Sequence, residues 1–237
     1  GEAITFTADG IMAANGSSIE IYADGGTITV PAIECDANDA VLVLDASATG
    51  AIIANGDLGG SGHNYIESVT MIADTILMHS VHSTGAQQYT GAITLAADAT
   101  FTSTMAASDT ITFTAGTTID GAYALIIDAG ASTVTFGGAI GTGIALVSLD
   151  VIGPVTITDS ITVRTSDTVS FADTISDGVN SYILTLDVGT ATASTLHSID
   201  IGGLTVTAGE VTIVDGSTVD LSGNFELTSG TVNAGST

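Results

Sequence analysis

A chain of 237 residues with 45% hydrophobic residues is long and apolar enough to fold around a continuous core. Its 26 acidic residues against a single basic residue give a net charge of −25. This charge argues against nucleic acids and anionic membrane surfaces as partners, because binding them requires Lys and Arg. No apolar stretch reaches the roughly 18 residues of a membrane-spanning helix, so we expect no membrane insertion.

Short β-strands are predicted from one end of the chain to the other. Apolar residues alternate with Thr, Glu or Asp, which places the apolar side chains on one face of each strand. The alternation runs through Ile4–Thr7, Ile19–Tyr22, Ile111–Thr114, Val134–Phe136, Val155–Thr158, Val211–Ile213 and Val219–Leu221. The 38 threonines favour strands, and Gly, Asn, Asp and Ser supply the turns because Pro occurs only twice. We predict no helix.

The chain also repeats itself. Thr27–Val30 precedes Leu42–Asp45, Thr110–Phe113 precedes Leu125–Asp128, and Thr168–Phe171 precedes Leu184–Asp187, each at a similar distance. A second motif follows each copy after a variable gap, at Ile66–Met71, Leu146–Val151 and Leu196–Ile201. Repeated order with drifting spacing is typical of stacked supersecondary units, because insertions bulge out as loops without breaking the stack.

Residues 1–237 are therefore predicted to form a single elongated domain, an all-β right-handed parallel β-helix, or β-solenoid. Turns of roughly 20 residues would give about eleven turns and a rod of about 50 Å at the usual strand spacing. A string of β-sandwich repeats is the alternative, although each sandwich needs about seven strands.

The central residues resemble a known family. Gln87–Leu95, Ala99–Thr104, Ile119–Leu125 and Thr133–Gly141 are similar to repeat segments of giant secreted bacterial exoproteins of the filamentous-haemagglutinin-like, β-strand-repeat class. The resemblance is best over residues 84–190. It implies a β-helix shaft at the cell surface or in the extracellular matrix, in an adhesin or matrix protein. This chain is shorter than such exoproteins, so we expect a section of a longer protein or a self-assembling subunit.

Catalytic and ice-binding functions are weaker hypotheses. Polysaccharide lyases need basic residues that this chain lacks, and no pair of carboxylates stands out as a hydrolase would require. We therefore predict that the protein is not an enzyme.

An ice-binding surface would need Thr-x-Thr pairs in register on one flat face. Such pairs occur at unequal intervals, at Thr5/Thr7, Thr27/Thr29, Thr102/Thr104, Thr110/Thr112, Thr133/Thr135, Thr156/Thr158 and Thr205/Thr207.

Metal binding is predicted at one turn. Asp36, Asn38 and Asp39 place oxygen ligands close together, as a calcium site would. The alternative is a solvated turn.

Asp45, Asp128 and Asp187 each follow an apolar run. One interpretation is that each aspartate opens a turn by accepting a hydrogen bond from its own backbone. The other is that all three bind cations as a ladder. No other cofactor is predicted.

The two chain ends look like ordinary strands, without the polar caps that protect most solenoids. We therefore predict that the protein is an extracellular structural protein that assembles end to end into a filament or matrix. Its main partner would be itself, with divalent cations or surface glycans as further candidates. The predicted interface residues are Ile4, Phe6, Leu227 and Val232. The alternative is an adhesin shaft that holds a binding tip away from the cell.

Overall fold

The structure is a computed structural model that describes residues 1–7, 10–14, 16–35, 39–60, 65–104, 109–189 and 194–234. Within these ranges there are 27 strands and no helix, and every strand pair is parallel. The prediction of an all-β parallel β-helix, a β-solenoid, is confirmed. The β-sandwich alternative is wrong, because its strands would pair antiparallel. The right-handed sense of the coil stays a prediction.

The strands follow one another at short intervals. The first nine are β1 (Ile4–Thr5), β2 (Ile11–Ala13), β3 (Ser18–Tyr22), β4 (Thr27–Val30), β5 (Ile33–Cys35), β6 (Val41–Ala54), β7 (Ser68–Met78), β8 (Val81–Ser83) and β9 (Gln87–Leu95). The next nine are β10 (Ala99–Ser103), β11 (Ile111–Phe113), β12 (Thr118–Asp120), β13 (Ala124–Asp128), β14 (Val134–Phe136), β15 (Ser148–Ile152), β16 (Val155–Ile157), β17 (Ile161–Thr165) and β18 (Val169–Phe171). The last nine are β19 (Ile175–Ser176), β20 (Ile183–Val188), β21 (Ser194–Leu196), β22 (Ile199–Ile201), β23 (Gly203–Ala208), β24 (Glu210–Ile213), β25 (Val219–Leu221), β26 (Phe225–Leu227) and β27 (Thr231–Ala234).

The strands stack into three faces that run side by side along the axis. Face I contains β3, the first parts of β6, β7 and β9, and then β11, β14, β16, β19, β22 and β25. Face II contains β1, β4, the last parts of β6, β7 and β9, and then β12, β17, β20, β23 and β26. Face III contains β2, β5, β8, β10, β13, β15, β18, β21, β24 and β27. Single bridges through Ile140 and Leu58 continue faces II and III where no strand is present.

Successive register pairs on face II give eleven levels from Ile4 to Leu227. The turns between strands differ in length. Partner positions on face II advance by 17 residues from Ile76 to Ile93 and by 26 residues from Ile93 to Ile119. At a strand spacing of about 4.8 Å, the ten intervals between these levels give a rod of about 50 Å.

The interior is filled by the inward side chains of all three faces. Alternation places one apolar residue above another in successive turns, so the core is a set of columns parallel to the axis. On face I the column includes Tyr89, Phe113 and Phe136, whose ring centroids are 5.3 and 5.4 Å apart with interplanar angles of 17° and 7°. These rings are buried, and offset-stacked aromatic pairs add stability beyond the area that they bury.

A buried glutamine lies within the apolar core of the fourth turn. The side-chain amide of Gln87 is buried and donates to Ser83 Oγ at 2.9 Å and to the Thr102 carbonyl at 2.8 Å. The Tyr89 hydroxyl donates to Gln87 Oε1 at 2.8 Å. Burial raises the pKa of the Tyr89 phenol well above its ordinary value of 10.0. The network satisfies its buried polar atoms and therefore fixes this turn rather than destabilising it.

Candidate assembly ends

The first described turn has three strand edges without a partner on their outer side. Among the described residues, β1, β2 and β3 each pair with a strand on one side only, namely β4, β5 and β6. Ile4 points toward the interior, is half-buried and pairs with Ile28. Phe6 follows two residues later, on the same side of the chain, and is 39% exposed. Unpaired strand edges beside apolar side chains are a template for a further strand.

The last turn is open in the same way. Val219, Phe225 and Leu227 are 47%, 50% and 45% exposed. Their partners one turn earlier, Ile199, Leu204 and Val206, are at most 1% exposed, although they belong to the same inward columns. These three residues are exposed because no further turn of the described chain covers them, and not because they point to solvent.

The two ends share one column. Successive register pairs on face II connect Ile4, Ile28, Ile52, Ile76, Ile93, Ile119, Ile140, Val163, Leu186, Val206 and Leu227. All nine residues between Ile4 and Leu227 are buried aliphatics. The first and last members are therefore positioned so that one copy's Leu227 can lie next to another copy's Ile4 as the column continues.

The four predicted interface residues all lie at the ends. Ile4 and Phe6 belong to the first turn, Leu227 lies on β26, and Val232 lies half-buried on β27, where it pairs with Val211. Sequence reasoning missed Val219 and Phe225, which are as exposed as Leu227. The signal was available, because both residues continue the apolar alternation of the last strands. Their role in assembly stays a prediction.

The predicted calcium turn lies mostly outside the described residues. Asp36 and Asn38 are not described, whereas Asp39 is half-buried and its Oδ1 atom has no hydrogen-bond partner. Within the described ranges, no three His, Cys, Asp or Glu side chains converge as metal ligands would. Calcium binding at Asp36, Asn38 and Asp39 therefore stays a prediction.

The three repeated aspartates do not form a ladder, because they lie on faces I, III and II respectively. Asp45 and Asp128 open turns, since their carboxylates accept from the Ser47 and Gly130 backbone N–H groups at 2.8 and 3.0 Å. Asp187 instead pairs with Arg164 of the previous turn, at 3.3 Å from Nε to Oδ2. The turn interpretation is confirmed for Asp45 and Asp128, and the cation-ladder interpretation is wrong.

The threonine pairs are also distributed over the three faces. Thr112, Thr135 and Thr156 stack in consecutive turns on face I, with Thr110 and Thr133 beside the first two. The pairs at Thr27 and Thr205 lie on face II, and Thr102 lies on face III. No single face therefore collects the pairs in the way that an ice-binding plane requires.

Comparisons with models of known protein families, with characterised proteins and with solved structures give no match. None of the described residues forms a helix that could span a bilayer.

Proposed function

We propose that the protein is an extracellular structural protein whose solenoid joins end to end into a filament or matrix, as separate subunits or as successive sections of a larger chain. The observation that carries the proposal is the incomplete burial of inward-facing residues at both ends of one aliphatic column, where Ile4 is half-buried and Leu227 is 45% exposed. Stacking β1 of one copy on β26 of the next continues the column at about 4.8 Å per strand.

Stacking removes two unfavourable features of the free ends, namely unpaired backbone groups and exposed apolar side chains. The edges of β26 and β27 receive β1 and β2 of the next copy, so backbone N–H and C=O groups on faces II and III find partners. Leu227, Phe225 and Val232 lose contact with water when the next turn covers them. Each fully buried large apolar side chain contributes about 1.5–3 kcal/mol relative to an exposed one.

The charge distribution favours growth along the axis over sideways clumping, because an acidic flank repels another acidic flank. The same charge opposes the junction, because Glu2, Glu20, Asp220 and Glu226 all lie in the terminal turns. We therefore expect added salt or calcium to promote assembly, since both screen like charges. The resemblance to secreted β-strand-repeat proteins supports the extracellular location.

Electron microscopy of the purified protein tests the proposal. We expect filaments with an axial repeat near the length of one solenoid. Leu227→Asp places a charge in the junction and should abolish them. Val179→Asp is the matched control, because Val179 is fully exposed on a side loop and the added charge is the same. Compact monomers at every protein, salt and calcium concentration would refute the proposal.

A cysteine pair tests the register. Stacked strands place Ile4 and Leu227 of adjacent copies about 5 Å apart, within the range that a disulfide can bridge. In a Cys35→Ala background, which removes the buried native thiol, Ile4→Cys with Leu227→Cys should form intermolecular disulfide ladders on mild oxidation. Either single cysteine variant should give at most dimers. If the double variant forms intact filaments without these disulfides, the faces are rotated at the junction.

The second candidate function is an adhesin shaft that presents a binding surface. A lateral apolar cluster favours it: Tyr123, Ile144 and Val147 are exposed together on the side of the rod, and the Val147 N–H donates to the Tyr123 carbonyl at 2.9 Å. Glycan arrays with the wild-type protein and with Tyr123→Ala separate this candidate from the first. A glycan signal that the variant loses, in the absence of filaments, would select it.

A further inference from the structure

The outward side of face I forms a hydroxyl surface in the middle turns, made by the outward side chains of its strands from β7 to β19. Six strands contribute to this hydroxyl surface, and their register pairs on this face run without a shift. The central column of the surface consists of Thr70, Gln88, Thr112, Thr135, Thr156 and Ser176. Each of these residues lies between two buried inward neighbours, so its side chain points to solvent.

Further hydroxyl groups lie on both sides of this column. Two residues before or after it in their strands are Thr110, Thr133, Thr174, Thr90 and Thr114. The hydroxyl oxygens of Thr90 and Thr114 are 2.9 Å apart, and those of Thr110 and Thr112 are 3.1 Å apart. Because β-branched side chains have few χ1 rotamers, these hydroxyl groups are held in a regular array.

The hydroxyl surface carries no Asp, Glu, Lys, Arg or His, although the chain contains 26 acidic residues. The other two faces carry carboxylates along the same turns, at Asp120 and Asp187 on face II and at Asp128 and Asp150 on face III. Those carboxylates repel a polyanion and attract a polycation to themselves. A ligand that selects the hydroxyl surface is therefore uncharged.

The area of the hydroxyl surface suits a long polymer better than a protein. Its six levels span about 24 Å along the axis, and five residues of strand span about 13 Å across it. The resulting area of about 300 Å² is well below the roughly 800 Å² per partner of a standard protein interface. A polymer can bind through a small contact because it engages several copies at once, which raises the overall affinity.

The core beneath the hydroxyl surface is rigid. Tyr89, Phe113 and Phe136 are inward residues of three of its strands, and their rings stack with centroids 5.3 and 5.4 Å apart. A surface that is ordered before binding loses little conformational entropy when a ligand arrives. A stacked parallel sheet on such a core favours a ligand that is itself extended and flat.

We propose that the hydroxyl surface binds an uncharged, extended polysaccharide of the cellulose type. Thr and Ser hydroxyl groups donate and accept hydrogen bonds, as the hydroxyl groups of sugars do. The Thr methyl groups offer apolar contact to the C–H groups of the sugar rings. The hydroxyl surface lies in the middle turns, so binding does not require end-to-end stacking, and in a filament it attaches each copy to a fibrous polysaccharide.

Co-sedimentation with microcrystalline cellulose tests the proposal. The Leu227→Asp background keeps the protein monomeric, so only protein bound to cellulose is pelleted, and a spin without cellulose gives the blank. We expect saturable binding to cellulose. Carboxymethylated cellulose has the same sugar backbone with added negative charge, and it should bind at least about tenfold more weakly at low salt, because the chain has a net charge of −25.

Paired threonine variants locate the binding surface. Thr112→Val with Thr135→Val replaces two stacked hydroxyl groups by methyl groups of the same shape and should raise the Kd for cellulose about tenfold. Thr162→Val with Thr185→Val is the matched control. These two threonines also point outward, are half-buried and stack on neighbouring strands, but they lie on face II, so binding should not change.

Tyr123→Ala should also leave binding unchanged, which separates the hydroxyl surface from the lateral apolar cluster. Absence of cellulose binding, equal losses from the two threonine pairs, or a loss in Tyr123→Ala would overturn the inference, and filaments of the wild-type protein would still support the end-to-end stack. Cellulose binding by a wild-type protein that forms no filaments would overturn the stack and leave the inference standing.

Discussion

The middle turns and the terminal turns of this solenoid use the same strand pattern, yet their inward residues meet different surroundings. Phe113 lies between Tyr89 and Phe136 and is buried, whereas Phe225 has a neighbour on one side only and is half-exposed. In a solenoid each turn contacts only its neighbours, so a terminal turn has half of the stacking contacts of a middle one. The comparison teaches that position along the axis, and not residue type, decides what each side chain contributes.

The largest expected difference lies between two phenylalanines. Phe113→Ala should lower the free energy of unfolding by about 3–5 kcal/mol, because it opens a cavity within the aromatic stack. Phe225→Ala should cost at most about 1 kcal/mol, because half of that side chain is already in water. Urea unfolding of the dilute protein, followed by circular dichroism, measures both. Equal losses would show that the last turn is as well packed as the middle.

Two glycines, one in a middle turn and one near the last turn, allow the same comparison for the backbone. Gly141 and Gly216 have φ values of +72° and +78°, a region that L side chains rarely adopt. A Cβ at Gly141 would lie 2.0 Å from the Arg164 carbonyl oxygen of the next turn, whereas nothing lies within 4 Å at Gly216. Gly216→Ala should therefore cost about 1–2 kcal/mol from φ alone.

Gly141→Ala should cost a further 1–3 kcal/mol or so, because the next turn must move to make room. The same urea titrations give the difference between the two variants. If the two alanine variants are equally stable, the turns can slide past one another at this corner, and the middle of the rod is less rigid than its packing indicates.

Removing the buried Gln87 amide of the fourth turn should lower the free energy of unfolding by a smaller amount. This effect concerns a middle turn and has no counterpart in the terminal turns. Gln87→Ala leaves the buried Tyr89 hydroxyl without its acceptor, which should cost about 1–3 kcal/mol. Gln88→Ala is the control, because the neighbouring side chain faces outward and is exposed, so its removal should change stability by less than about 0.5 kcal/mol. A neutral Gln87→Ala variant would mean that water replaces the amide inside the core.

The strand pattern and the solenoid could be predicted from the sequence because they depend on local alternation. The register could not, since it depends on the length of every turn between strands. The repeated apolar segments around Ile28, Ile111 and Val169 illustrate this, because they lie on faces II, I and III respectively. The sequence repeat is therefore a strand with its turn, and not a full turn of the coil.

The same limit applies to the candidate site. Open ends could be predicted at Ile4 and Leu227 because both lie in apolar strands near the ends of the chain. That they occupy one column could not, because ten turns of unequal length lie between them.

The smallest expected effect concerns the ion pair between Arg164 and Asp187, the only one among the described residues that involves Arg. Both side chains are more than a third exposed, so water and salt screen their attraction. Arg164→Met keeps much of the aliphatic stem and should lower the free energy of unfolding by about 0.2–1 kcal/mol at low salt. The difference should vanish near 1 M NaCl, where the Debye length is about 3 Å. Urea titrations at both salt concentrations measure it. A loss that persists in high salt would assign the role of Arg164 to packing of its stem.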